Sequence, residues 1–209
     1  MSLNIRAYRS PRYISMKKRR ALFNGRAENY MYRRTNDMQR IAKFEKVSFE
    51  QYKEGWLNCW DSESSDEEIR AAYDGIKLPR RATTGSAGYD FYTPVDFKLQ
   101  AGRTILIPTG IRVGIEEGWV LSIYPRSGLG FKFRLQLDNT VGIIDSDYYN
   151  SANEGHIFIK ITNDSKEEKK VSLLSGDAFA QGVFTQFGIT VDDAADGVRD
   201  GGMGSTDAK

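Results

Sequence analysis

FKLQAGRTILIPTGIRVGIEEGWVLSIYP, residues 97–125, is a succession of short apolar runs, each closed by Gly, Pro or an acidic pair. In TILIP, Ile105 and Ile107 share a face, and in IRVGI so do Ile111, Val113 and Ile115, because side chains along a strand alternate with a period of two. The same texture returns in HIFIKIT, 156–162, and in AFAQGVFTQF, 178–187. Short strands at regular spacing with turn residues between them predict an all-β barrel or sandwich from Lys77 onward.

Upstream the pattern changes. RIAKFEKV, 40–47, predicts a first strand, and Ser48 ahead of FEQYKEGW predicts an N-capped helix. DSESSDEEIRAAYDGI, 61–76, predicts a second helix, capped by Ser65 or Asp66, with acids in its first turn as the helix dipole prefers and Gly75 at its end. Trp56 and Trp60 are expected to bury against the domain. The layout is thus a basic N-terminal arm, 1–38; a β domain, 39–190, with a helical insertion at about 48–76; and a polar, glycine-rich C-terminal arm, 191–209, expected to be flexible.

Charge follows this division. Residues 1–38 hold ten Lys/Arg against Glu28 and Asp37, net +8, so with a total of +2 the remainder carries −6. Contact with nucleic acid or a solvated tail are both open to the arm. One cysteine, Cys59, leaves no internal disulfide, and no 18-residue apolar run appears, so a reducing, cytoplasmic setting without membrane contact is expected. A single histidine, His156, excludes a histidine-based zinc cluster; its strand pattern predicts a surface or interface position. With no P-loop, hydrolysis would need carboxylate chemistry.

The candidate for that chemistry lies in LQLDNTVGIIDSDYYN, 135–150. Thr140–Ile144 reads as a strand between turn signals, so Asp145 leaves a buried element at its edge. A carboxylate there can be partly desolvated and poised as a general base; capping of a local turn is the alternative. PRSG, 125–128, offers Arg126 as a planar donor for phosphate, Ser127 as a hydroxyl donor and Gly128 for close backbone approach. Asn139 carries both an amide donor and a carbonyl acceptor, which suits a base edge.

Five segments in order, AGYDFYTP (87–94), PRSGLG (125–130), DNTVGIIDSDYYN (138–150), GDAFAQGVF (176–184) and RDGGMGSTD (199–207), resemble the homotrimeric dUTP diphosphatases, the dUTPases. The resemblance implies a distorted jelly-roll barrel that hydrolyses dUTP to dUMP and pyrophosphate, keeping uracil out of DNA and supplying dUMP for thymidylate synthesis. It implies that Asp145 deprotonates the water attacking the α-phosphorus, and that Arg126, Ser127, Gly128 and Gln181 bind the phosphates. Asn139 and a tight hairpin containing Gly142 and Ile144 would read uracil, and the Tyr148 ring would pack on the deoxyribose. Asp90 would hold waters of a Mg²⁺ carried by the substrate phosphates, a habit consistent with that ion, and Asp177 is a turn residue. Arg199, facing the γ-phosphate, would close with Met203, Gly204 and Ser205 over a neighbouring subunit's site, three chains sharing three sites.

The chain departs from the family in places. One residue, Asp200, separates Arg199 from the glycine pair instead of two; Met203 replaces an aromatic; Asp207 replaces a glycine. The third motif usually reaches Gly one residue beyond its Tyr, whereas here it runs on as YYNSANEG. Two other functions are compatible with parts of the pattern: dCTP deamination on the same fold, and a partner-binding role for the N-terminal extension.

Overall fold

The computed structural model describes residues 38–60, 63–197 and Arg199. From Arg40 onward the described residues form one compact unit. It is built of short strands with few helices: β1 Ala42–Lys46, α1 Phe49–Cys59, α2 Asp66–Asp74, β2 Arg80–Arg81, β3 Tyr89–Tyr92, β4 Phe97–Leu99, β5 Thr104–Pro108, β6 Ile111–Ile115, β7 Trp119–Pro125, α3 Ser127–Phe133, β8 Leu135–Leu137, β9 Gly142–Ile144, a 3₁₀ turn Ser146–Asn150, β10 Phe158–Asn163, β11 Val171–Leu173 and β12 Ala178–Gln186. They pair into four small antiparallel sheets, of which the largest runs β2-β3-β12-β7-β9 and the next β5-β10-β8.

Alternation fixes which faces turn inward. Ile107, Ile111, Val113, Leu121, Ile123, Ile159 and Ile161 are all at or below 2% exposure, and they meet Phe91 and Phe179 in one continuous core between the sheets. At roughly 1.5–3 kcal/mol for each fully buried large apolar side chain, this core dominates the stability of the unit.

The helices sit on a second, smaller cluster of Val47, Tyr52, Trp56 and Ile69, with Phe49, Trp60 and Tyr73 packed against it. Ser48 caps α1 by accepting from the Gln51 amide at 3.1 Å. At α2 the cap is Ser65, in a reciprocal box with Glu68, which satisfies two N–H groups that the first turn leaves without intrahelical partners. The layer is tied to the sheets by Trp60 Nε1 donating to Leu106 O at 3.0 Å and Tyr73 OH donating to Val47 O at 2.7 Å.

Three expectations are corrected. Thr140 does not belong to the strand: it takes a left-handed φ of 67° in the turn, and β9 begins only at Gly142. His156 is fully buried rather than at a surface, because the helical layer covers the face of HIFIKIT that alternation left outward. Finally, the helix α3 after Pro125 has no counterpart in the strand reading of that region.

Candidate active site

Asp145 follows β9 and stands at the N-cap position of the 3₁₀ turn, yet its side chain makes no capping hydrogen bond. The local role that competes with catalysis is thus not taken. Its carboxylate instead accepts from Arg199 Nη2 at 2.7 Å, while Arg199 Nε donates to Asp147 at 2.9 Å and the guanidinium lies 5.8 Å from the Tyr148 ring. Within one chain the Asp145 side chain is 45% exposed, so the carboxylate is half-buried at the strand edge. Asp147, assigned no role from the sequence, joins the group by pairing with Arg199.

Tyr148 is the opposite case, 3% exposed. Its hydroxyl donates to His156 O and accepts from Asn153 Nδ2, both at 2.8 Å, and burial raises its pKa above the usual phenol value. His156 Nε2 accepts from the Gly110 amide at 2.9 Å, and burial lowers the imidazole to about 4, so it is a neutral core residue.

The turn from β8 to β9 carries the candidate base reader; the two strands pair with β10 and β7 and not with each other, which corrects the expected hairpin to a link between two sheets. Asn139 is exposed in its turn, which closes with the Thr140 amide donating to Leu137 O at 3.0 Å. The turn is anchored to β10 by Asp138, which pairs with Lys160 Nζ at 3.2 Å and accepts from the Thr162 hydroxyl. Beside it opens a cavity of about 210 Å³ lined by Asn139, Gly142, Ile143, Ile144, Leu106 and Phe158 among others. That is below the roughly 300–1,000 Å³ of drug-sized ligand pockets, a scale suited to a single heterocycle. A side chain at Gly142 would put its Cβ 3.2 Å from that of Ile123, so glycine keeps the strand flush against β7.

A second group gathers at the end of β7. Asp90 on β3 stands opposite Gln181 on β12, which stands opposite Tyr124 on β7. Gln181 Nε2 donates to Pro125 O at 3.1 Å, and a Cβ on Gly88 would meet Gln181 Oε1 at 2.7 Å, so this glycine makes room for the amide. Arg126 Nε pairs with Asp90 at 3.2 Å. Ser127 and Gly128, both exposed, open α3, where backbone N–H groups of a first turn lack intrahelical acceptors. Asp177 is a turn residue, accepting from the Leu174 amide at 2.9 Å.

These groups are not together. β9 runs antiparallel to β7 with Ile144 opposite Leu121, so Asp145 lies toward the Trp119 end while Arg126 follows Pro125. At about 3.3 Å per residue, on the order of 17 Å of strand separates Leu121 from Arg126. Met203, Gly204 and Ser205, like the basic segment 1–37, lie outside the described residues. Among the described residues, no group of three or more His, Cys, Asp and Glu could hold a metal ion, and no helix is long and apolar enough to cross a membrane.

Fold and site together define a jelly-roll-like β protein with an arginine at a helix start at one end of a sheet and a carboxylate at the other. The dUTPase family pattern matches residues 74–206. The deoxyuridine 5'-triphosphate nucleotidohydrolase of Lactococcus lactis subsp. lactis is 42% identical over 137 residues, 64% of this chain and 90% of that one. The Haemophilus ducreyi enzyme of the same name is 42% identical over 135 residues, 61% of this chain and 84% of that one. The crystal structure of the dUTPase from Streptococcus mutans superimposes with a TM-score of 0.52 at 32% identity, covering 72% of this chain and 98% of that one. The chain belongs to the dUTPase family. It is an enzyme that hydrolyses dUTP to dUMP, and the dCTP-deaminase alternative falls.

Proposed function

We propose that hydrolysis takes place at centres shared between three copies of this chain, with Asp145 as the general base that activates water against the α-phosphorus, releasing pyrophosphate. The carrying observation is the register of β7 and β9, which sets Asp145 and Arg126 at opposite ends of one strand. A general base must come within about 2.6–3.2 Å of the proton it takes, or act through one water. Groups that hold the phosphates of the same substrate cannot stand a strand's length away. One copy therefore supplies Asp145, Tyr148 and the β8–β9 turn, and another supplies Arg126, Ser127, Gly128 and Gln181.

The chemistry of each residue supports its role. The Asn139 amide complements the uracil edge, and the small cavity lined by Gly142 and Ile144 leaves little room for a methyl group. Tyr148 presents its ring to the deoxyribose, so a 2′-hydroxyl collides. Arg126 exchanges its pairing with Asp90 for phosphate, which leaves the Asp90 carboxylate for a hydrated cation. Mg²⁺ bound to substrate phosphates keeps most of its waters and needs only one or two protein carboxylates, a demand that Asp90 fits. The ion supplies charge neutralisation along the triphosphate.

Arg199 pairs with Asp145 in this structure, so its guanidinium occupies the carboxylate oxygen that a water would otherwise reach. For Asp145 to accept a proton, Arg199 must move to another anion, which the γ-phosphate provides, with Met203, Gly204 and Ser205 closing behind it.

The test uses two disabled chains with different tags, Asp145→Asn and Arg126→Ala, co-expressed and purified through both tags. Mixed assemblies are expected to regain pyrophosphate release from dUTP that neither parent shows. No recovery in assemblies shown to contain both chains would return the two groups to one chain and overturn the shared centre.

A further inference from the structure

Residues 150–155 depart from the family pattern and pack beneath Tyr148. Asn153 is the pivot of this loop: its Nδ2 donates to the Tyr148 hydroxyl at 2.8 Å, and its Oδ1 accepts from the Gly155 amide at 3.1 Å. Gly155 has φ 69°, and a Cβ there would stand 2.8 Å from Tyr148 O, so the loop fits closely under the tyrosine. The same hydroxyl donates to His156 O at 2.8 Å. The far end of the ring is therefore held from two sides in a fully buried setting.

The loop is itself fastened. Glu154, at a left-handed φ of 56°, accepts from both the backbone N–H and the hydroxyl of Ser48, each at 2.7 Å, at the start of α1. Burial works to raise the Glu154 carboxyl, but these bonds outweigh it and hold the group below its ordinary value. On the other side of the 3₁₀ turn, Arg112 stacks 3.6 Å from the Tyr149 ring centroid and donates to Tyr149 O at 2.6 Å, while Tyr149 OH donates to Glu45. The segment between Asp145 and His156 is thus braced by the helical layer and by β1.

We propose that Asn153 is a positioning residue for sugar selectivity, fixing the Tyr148 ring from behind in a loop that Glu154 ties to the inserted helix. It rests on the reading that Tyr148 faces the deoxyribose. Exclusion of a 2′-hydroxyl by a ring is steric, and a steric wall discriminates only if it cannot yield. Asn153 touches no substrate. It removes the tilt that would let the ring give way to a ribose.

The test measures kcat/KM of the full chain for dUTP, UTP and dTTP. Loss of one hydrogen bond of ordinary strength in Asn153→Ala is expected to lower the dUTP-to-UTP preference about five- to tenfold, through gain on UTP. The dUTP-to-dTTP preference should stay within about twofold, because the β8–β9 turn is untouched; a general loss of structure would lower both. Tyr148→Phe, which deletes only the hydroxyl, should reproduce the effect, and adding Asn153→Ala to it should change little further, as for residues acting through one bond. Should Asn153→Ala fail to fold, Tyr148→Phe carries the test. Full preference for dUTP in both Asn153→Ala and Tyr148→Phe, with preference lost in Tyr148→Ala, would overturn the positioning role alone. Preference retained in Tyr148→Ala would overturn the sugar reading beneath it.

Discussion

The sheet core and the helical layer are built from different materials. Between the sheets the buried residues are mostly Ile, Leu and Val, which suit a pleated surface. Under the helices half of the cluster is rings, the buried Tyr52 and Trp56 with the partly buried Phe49, Trp60 and Tyr73, all but Phe49 carrying a polar atom. A ring buries much area per residue and keeps a hydrogen-bonding handle, so two short helices can be fastened without a large core of their own. The difference teaches where function can reside. The candidate base Asp145 stands where a sheet strand meets a turn, and α1 is tied to the loop behind it by the bonds from Ser48 to Glu154.

This contrast can be broken most sharply at Asp145. Replacing a general base costs roughly 10²–10⁴ in rate, so Asp145→Asn should lose activity on that scale. Its thermal midpoint should stay unchanged, since the carboxylate's hydrogen bond is to Arg199 of the arm. A midpoint that falls along with the rate would mean that Asp145 belongs to the scaffold.

The seam between the regions should be sensitive to acid. His156 titrates near 4 when folded because burial disfavours its charged form, against about 6.5 when unfolded. The unfolded chain therefore binds the proton first. The stability from this group is fully present above pH 6.5 and is lost as the pH falls through about 4, by roughly 3 kcal/mol in all. Denaturant midpoints across that range should fall in the parent, and the fall should be shallower in His156→Gln; parallel curves would remove His156 as its source.

The smallest effect is expected within the helical layer. Ser65→Ala removes a reciprocal cap and should cost about 1 kcal/mol, read as a shifted unfolding midpoint with turnover of dUTP unchanged. Altered turnover would show that the two regions are less separate than their packing suggests.

Much of this architecture was legible because alternation marks one buried face. Ile105 and Ile107, and Ile111 to Ile115, turned inward as the period of two requires, and Ser48 and Ser65 cap the helices that their positions announced. Reading failed where tertiary packing overrode local preference. Thr140, β-branched and strand-favouring, takes a left-handed turn where the chain passes from β8 in one sheet to β9 in another. His156 shares the outward face of its strand with Lys160, but α1 covers only the His156 end: a Cβ at Gly55 would lie 2.7 Å from the imidazole. The candidate site was legible as residue types in order. The distance between Asp145 and Arg126 was not, since it depends on strand register.

The clasp between Glu154 and Ser48 has an evolutionary consequence. The inserted loop and the inserted helix form a matched pair, joined by one carboxylate that occupies both donors of a single serine. Moving the loop alone into a relative without the helix would strand a carboxylate, and moving the helix alone would uncover its first N–H groups. The two additions are therefore best treated as one inheritable module, gained or lost together, and an engineer who grafts or trims one must carry the other.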